Sequence, residues 1–233
     1  MADRRAPERP YVVSGGVPPR RERGIRRELD SREQYRAGAH WPTIKNHEQR
    51  RHIMSRHILE PSAQELAKAT SKPPFLYELG TDGARKVLDD LQAAPIDKLD
   101  VAEKWITVAA EVGDVRVRIV KPAGAAGTLP VVLYVHGGGW VLGNAGTHDR
   151  LVRELAVGAQ AAVVFVEYDR SPEARYPVAI EQAYATAQWI TRHGAKEGLD
   201  ASRLAVAGDS VGGNMTAALT ILAKRRGDVT FVH

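Results

Sequence analysis

Residues 208–212 read Gly-Asp-Ser-Val-Gly, a Gly-x-Ser-x-Gly pentapeptide set between the apolar run Leu204–Ala207 and a helix-like stretch, 213–226. A strand that turns sharply into a helix leaves no room for a Cβ beside the turn. Flanking glycines let it close, and the serine hydroxyl is left standing above the sheet edge as an acyl-transfer nucleophile. Upstream, the run Val131–Val135 ends in His136-Gly137-Gly138-Gly139-Trp140, a glycine-rich loop able to turn several backbone N–H groups toward one point. Those are the donors an oxyanion needs when a hydroxyl attacks a carbonyl. Each motif alone is weak. Ser210 could be an ordinary helix N-cap, and the glycine loop a strand-end turn or an anion nest. In this order, each behind a buried-type strand, the two describe a single site. His136 lies on its oxyanion side and is read as an anchor for the loop rather than as a base.

A third segment, Glu167-Tyr-Asp-Arg-Ser-Pro-Glu-Ala-Arg-Tyr-Pro177, joins these two. With it, the stretch from about Met54 onward resembles the hormone-sensitive-lipase-like branch of the α/β-hydrolases, the bacterial carboxylesterases with HGGGW and GDSAGG or GDSVGG signatures. Asp169 departs from that pattern, standing where arginine is frequent, and Val211 replaces a frequent alanine. The resemblance implies a serine carboxylic-ester hydrolase acting on small, fairly apolar acyl esters, without metal or organic cofactor. It also implies that the oxyanion donors are the backbone N–H groups of Gly138, Gly139 and Val211. Gly137, Gly208, Asp209 and Gly212 then complete the framework around Ser210, and the N-terminal helices form part of a cap.

The base and its acid are expected in the order Ser…Asp/Glu…His. After Ser210 the sequence holds one aspartate, Asp228, and one histidine, His233. Asp228 falls in the turn closing the last helix, away from the nucleophile, and His233 within a strand over 229–233. Asp209 points elsewhere at the elbow, and His148 and His193 are read on helices; none is assigned as the base. The expectation is therefore a hydrolase truncated at its C-terminus, without the triad acid and base and the last strands, turning over esters weakly or not at all. An apolar edge at Val229–His233 would be left unpaired and open to self-association. The alternative is a non-catalytic ligand-binding protein on the same scaffold, the solution used by the plant gibberellin receptors; an amidase or acyl-peptide hydrolase would share the machinery.

The elements that must hold the site follow from periodicity. Ser62-Ala-Gln-Glu65 has the form of a capping box opening a short helix with Ala63, Leu66 and Ala67 on one face. Thr81 can cap a second, whose Ala84, Val87, Leu88 and Leu91 recur at helical spacing. From Trp105 the period changes to two, and 105–111 and 115–121 form an antiparallel pair. Leu129–Val135, Ala161–Val166 and Leu204–Ala207 are continuous apolar strands. They alternate with helices opened by Thr147 (carrying Leu151 and Leu155), by Pro177 and after Ser210. That alternation predicts an α/β, doubly wound, mostly parallel sheet.

Composition bounds the rest. The chain of 233 residues has 43% hydrophobic residues and no cysteine, so a sizeable core is expected and disulfide or thiol chemistry is excluded. Residues 1–60 hold 14 Lys and Arg against 8 Asp and Glu, while the whole chain is only +5, so the remaining residues are slightly acidic. The basic character thus belongs to an extension, 1–53, whose composition predicts disorder and which reads as upstream of a natural start at Met54. A nucleic-acid partner is not expected. His47, His52 and His57, spaced by five, are read as solvent-facing rather than as metal ligands. With no apolar run of membrane-spanning length, a cytoplasmic protein is expected, organised as 1–53 extension, 54–100 cap helices and 101–233 partial hydrolase core.

Overall fold

The computed structural model describes residues 59–233; the basic extension over 1–53 and the three spaced histidines lie outside the described residues. The chain divides into two compact units, Met1–Gln64 and Glu65–His233. Helix α1 (Pro61–Ala69) begins one residue before the expected capping box, with proline in its first turn. There Ser62 donates its N–H to the Glu60 carboxylate (3.1 Å) instead of acting as the cap. Helix α2 (Gly80–Gln92) likewise starts ahead of Thr81, at the Leu79 N-cap position, and buries Ala84, while Leu91 is exposed. No helix among the described residues is long and apolar enough to cross a membrane.

Five strands follow: β1 (Val101–Val108), β2 (Val115–Pro122), β3 (Leu129–Val135), β4 (Ala162–Glu167) and β5 (Leu199–Gly208). Their order in the sheet is β1-β2-β4-β3-β5. The pairs β4–β3 and β3–β5 are parallel, and β1–β2 and β2–β4 are antiparallel. Helix α3 (Asp149–Ala159) connects β3 to β4, α4 (Val178–His193) connects β4 to β5, and α5 (Val211–Arg226) follows β5. The result is an α/β sheet, mixed in strand direction and wound on both faces.

Alternation along the strands sorts the core into two layers. Val163 and Phe165 of β4 pack with Val152 and Ala156 of α3 on one face. Ala162, Val164 and Val166 pack with Ala183, Tyr184, Ala187 and Ile190 of α4 and with Met215 and Leu219 of α5 on the other. Burial on both faces explains why β4 reads as an unbroken apolar run. In α3 the inward face is Val152 and Ala156, whereas Leu151 points outward. Neighbouring strands finish level: Val135 pairs with Gly208 on one side and with Val166 on the other. The loops that leave β3 and β5 therefore start side by side at the carboxyl edge, where the strand order reverses and ligands bind in open α/β sheets.

The segment 229–233, expected as a short strand with an open apolar edge, lies along β5. Val232 donates to the Leu204 carbonyl (2.8 Å), and Val206 donates to that of His233 (2.9 Å). Val229 is buried there and Val232 is half exposed.

One polar cluster sits within the α3 layer. Arg118 of β2, only 6% exposed at its side chain, faces Asp149 at the start of α3 (2.6 Å), and Asp149 also takes Lys98 (2.7 Å) and Arg153 (2.9 Å). Burial alone would raise the Asp149 pKa, but the three cations outweigh it and bring it down to about 2. Removing one side of such a network strands a buried charge, which costs about 3 kcal/mol or more. Asp149→Ala is expected to lower unfolding stability by about 3 kcal/mol in urea titrations at neutral pH, because Lys98, Arg118 and Arg153 lose the carboxylate they share and only Glu103 remains to the buried Arg118.

Candidate active site

Ser210 occupies the N-cap position of α5 at φ 52° and ψ −120°, a conformation that an L-residue adopts at a cost of about 1–3 kcal/mol. Its hydroxyl makes no capping hydrogen bond. The residue is exposed and holds the N-cap position without acting as a cap. The turn closes because Gly208 and Gly212 both press on the Val135 carbonyl; a Cβ at either position would overlap that oxygen. Val211 is the first helical residue, so its N–H belongs to the set that a helix leaves without an internal acceptor. The positive end of the α5 dipole points the same way.

The loop after β3 supplies the facing wall. Gly138 has φ 113° and a hypothetical Cβ there would strike the Leu142 carbonyl, so only glycine makes this turn. Its own carbonyl accepts from Leu142 (2.8 Å) and Val141 (3.1 Å). The N–H groups of Gly138 and Gly139 donate to no acceptor among the described residues. Trp140, also at positive φ, passes its carbonyl to the Ser171 N–H (2.8 Å), fixing the far end of the loop.

Asp209 couples the two loops. Its Oδ1 accepts the Tyr134 hydroxyl (2.8 Å) and the Gly137 N–H (2.9 Å), and His148 Nε2 lies 3.5 Å away. Burial pushes the Asp209 pKa up, but these donors and the nearby histidine reverse the sign and leave it below the usual value. The neighbour of Ser210 thus points under the oxyanion loop, not toward the hydroxyl.

His136 is fully buried beneath the loop. Its Nδ1 donates to the Gly137 carbonyl (2.7 Å), and its ring stacks on Tyr168 (centroids 4.2 Å apart, planes within 9°) and on Phe165 (5.4 Å, 7°). Tyr168 in turn donates its hydroxyl to the His136 carbonyl (3.0 Å). Burial brings the imidazole down to about 4, so the ring is neutral at pH 7 and holds the loop.

The remaining acid–base candidates lie elsewhere. Asp228 accepts from Tyr184, from Gln188 (2.6 Å) and from Arg192 (3.4 Å). It sits past the end of the 16-residue α5, about 24 Å along the helix axis from Ser210. His193 ends α4. His148 is the N-cap residue of α3, one position outside the helix on which the sequence places it, and Thr147 bonds back to Asn144 instead of capping. Among the described residues no hydrogen bond reaches the Ser210 hydroxyl.

Several contributors carry no local sequence signal. Arg85 of α2 clamps both loops: it donates to the Val141 carbonyl (2.9 Å), to the Ser171 carbonyl (3.0 Å) and bidentately to Glu173 (2.8 Å on each arm). Glu167, raised in pKa by burial, accepts the Ala145 N–H (2.8 Å). Beside the oxyanion loop opens a cleft of about 390 Å³, lined by Gly139, Trp140, Tyr176, Ile180, Asn214 and Met215 among others. Asn214 N–H bonds the Ser210 carbonyl (3.2 Å), which puts the cleft one helical turn from Ser210.

Comparison with known proteins gives these features a context. Residues 132–233 match the family model described as alpha/beta hydrolase fold. Carboxylesterase NlhH of Mycobacterium tuberculosis is 42% identical over 147 residues, which are 62% of this chain and 46% of that protein. Esterase LipI of the same organism is 40% identical over 169 residues, 70% of this chain and 51% of its own length. A thermostable esterase from Pseudomonas putida superposes with a TM-score of 0.71 at 43% identity, covering 74% of this chain and 55% of the other. The chain spans about half the length of the curated relatives it matches.

The buried imidazole has a measurable consequence. A histidine held near 4 in the folded state and near 6.5 when unfolded favours the neutral form of the fold. Its stabilisation is complete above about 6.5 and is lost as pH falls toward 4. Urea unfolding is expected to show a loss of about 3 kcal/mol between pH 7 and pH 4, and His136→Gln should abolish most of that slope. The Asp149 contribution falls in a separate window, between about 4 and 2.

Proposed function

We propose, for a chain that belongs over residues 132–233 to the alpha/beta hydrolase fold family in its hormone-sensitive-lipase-like branch, that it is a serine carboxylic-ester hydrolase of small acyl esters. The observation that carries this reading is the strained, uncapped Ser210 at the head of α5. A conformation costing 1–3 kcal/mol has no structural use at an exposed turn, but it presents a hydroxyl to a bound carbonyl.

In this reading Ser210 Oγ attacks the ester carbonyl carbon while a base removes its proton, and the carbonyl oxygen becomes an oxyanion. The N–H groups of Gly138, Gly139 and Val211 accept that charge, each worth about 3–4 kcal/mol in the transition state. The α5 dipole adds to the same field. Collapse of the intermediate expels the alcohol, leaving an acyl-serine that water hydrolyses. Asp209, His136 and the surrounding glycines hold the donors in register and take no part in proton transfer. Among the described residues none is assigned as the base: Asp228 is engaged by Tyr184 and Gln188 past the far end of α5, and His233 pairs with β5 through its backbone. Residues 54–100 are proposed to act as a cap, supported by the Arg85 clamp on the loops beneath. Intact glycines and an exposed hydroxyl favour the enzyme over a binding protein built on the same scaffold.

Two measurements test this reading. A fluorophosphonate probe is expected to modify Ser210 and to leave Ser210→Ala unmodified; modification that persists in the alanine variant overturns the assignment. Ser210→Gly is expected to gain about 1 kcal/mol in unfolding stability over Ser210→Ala, because glycine tolerates φ 52°. Equal stability of the two variants would remove the strain argument.

A further inference from the structure

Asp169 stands where the resembling family has arginine, and the cleft beside the oxyanion loop includes it in its wall. Its carboxylate is held by an amide pair: Gln182 Nε2 donates to Asp169 Oδ2 (2.8 Å), and the Asp169 N–H donates to Gln182 Oε1 (2.8 Å). Gln182 is itself fully buried on α4 and donates toward the Gly113 carbonyl (3.3 Å), so the holder cannot swing away. Among the described residues Asp169 has no ion-pair partner within 4 Å, and its Oδ1 accepts no hydrogen bond. Trp140, Tyr176, Pro177, Ile180 and Met215 make much of the rest of the wall apolar or aromatic.

We propose that Asp169 is a specificity-determining residue that favours esters bearing an ammonium group in the arm that enters this cleft. The inference rests on the esterase reading of the same site. A fixed carboxylate attracts a cation without having to be ordered first, and the aromatic faces of Trp140 and Tyr176 add to the attraction. Arg175 also borders the cleft and carries the opposite preference. Its side chain makes no hydrogen bond among the described residues, so binding an anion would first have to order a long, flexible side chain. The prepositioned group prevails. Because Asp169 is exposed, the effect is that of one solvent-facing ion pair, about threefold in selectivity, and it weakens with salt.

The test uses two isosteric pairs, one for each arm of the ester. Butyrylcholine is compared with 3,3-dimethylbutyl butyrate, and the methyl ester of 6-aminohexanoate with methyl heptanoate. In one pair the charged member is expected to show about threefold higher kcat/KM. Asp169→Asn should bring the ratio of kcat/KM within that pair to about one. Calorimetric binding of the same four esters to Ser210→Ala, with and without Asp169→Asn, reads the site independently of turnover. The binding arm is expected to show the same ratio. If neither pair discriminates in binding, or discrimination survives Asp169→Asn, the Asp169 proposal falls. Ser210-dependent turnover of the neutral esters, measured in the same series, then shows separately whether the esterase reading stands.

Discussion

Asp209 Oδ1 takes one hydrogen bond from the strand that precedes the glycine loop, through Tyr134, and one from the loop itself, through Gly137. Ser210 is the next residue along the chain, so the proposed nucleophile and the glycine loop share a single rigid connection. Two charge-assisted hydrogen bonds of this kind contribute about 1.5–3 kcal/mol each. Their greater importance is geometric: oxyanion donors act at full strength only when held within a few tenths of an ångström of the developing charge. The sheet sets the coarse alignment by pairing Val135 with Gly208, and the Asp209 carboxylate sets the fine one.

The same economy of space runs through the turn. Gly208 and Gly212 close on the Val135 carbonyl, and this contact lets α5 begin almost directly above β3. The strain at Ser210 is sustained because both flanking elements are fixed: β5 by its seven-residue pairing with β3, and α5 by Met215 and Leu219 in the core. Beneath the loop, the stack of Tyr168, His136 and Phe165 fills the corner with flat rings that leave little room to yield. A buried imidazole there can satisfy the Gly137 carbonyl, which a phenyl ring of similar shape could not.

What the sequence reveals of this arrangement follows a physical boundary. Glycine patterns are legible because they encode turns or close approaches that a Cβ forbids: Gly138 and Gly139 sit at positive φ, while at Gly137, Gly208 and Gly212 a Cβ would overlap a neighbour. The strands β3 and β4 are legible as apolar runs because both their faces are covered. Helix starts were less so: Pro61 and Leu79 precede the Ser62 and Thr81 expected to cap, since entry of the chain is set by packing and by the proline ring rather than by a side-chain acceptor. The segment 229–233 finds its acceptors and donors on β5, at Leu204 and Val206, and no local pattern specifies that register. Arg85 and Tyr134 could not be found at all, and His148, read only as a helix residue, gave no sign of its place beside Asp209. Their partners lie 56 to 88 residues away in the case of Arg85 and 75 in that of Tyr134, distances over which sequence spacing carries no information.

Arg85 shows how the first helix of the second unit enters the chemistry of the site without touching it. Its guanidinium holds two backbone carbonyls, one from the oxyanion loop and one from the loop after β4, and closes on Glu173 with both arms. A lysine in its place could satisfy only part of this, because a point charge on a flexible stem cannot serve three acceptors in a fixed plane. The side chain is mostly covered while Glu173 is exposed, so the ion pair itself contributes little, about the scale of a surface bridge. The two carbonyls matter more. They belong to segments that frame opposite sides of Trp140, whose carbonyl in turn receives the Ser171 N–H. The clamp therefore locks the mouth of the cleft and the rim of the oxyanion loop to one helix, and displacement of α2 would be felt first at Val141 and Ser171 rather than at Ser210.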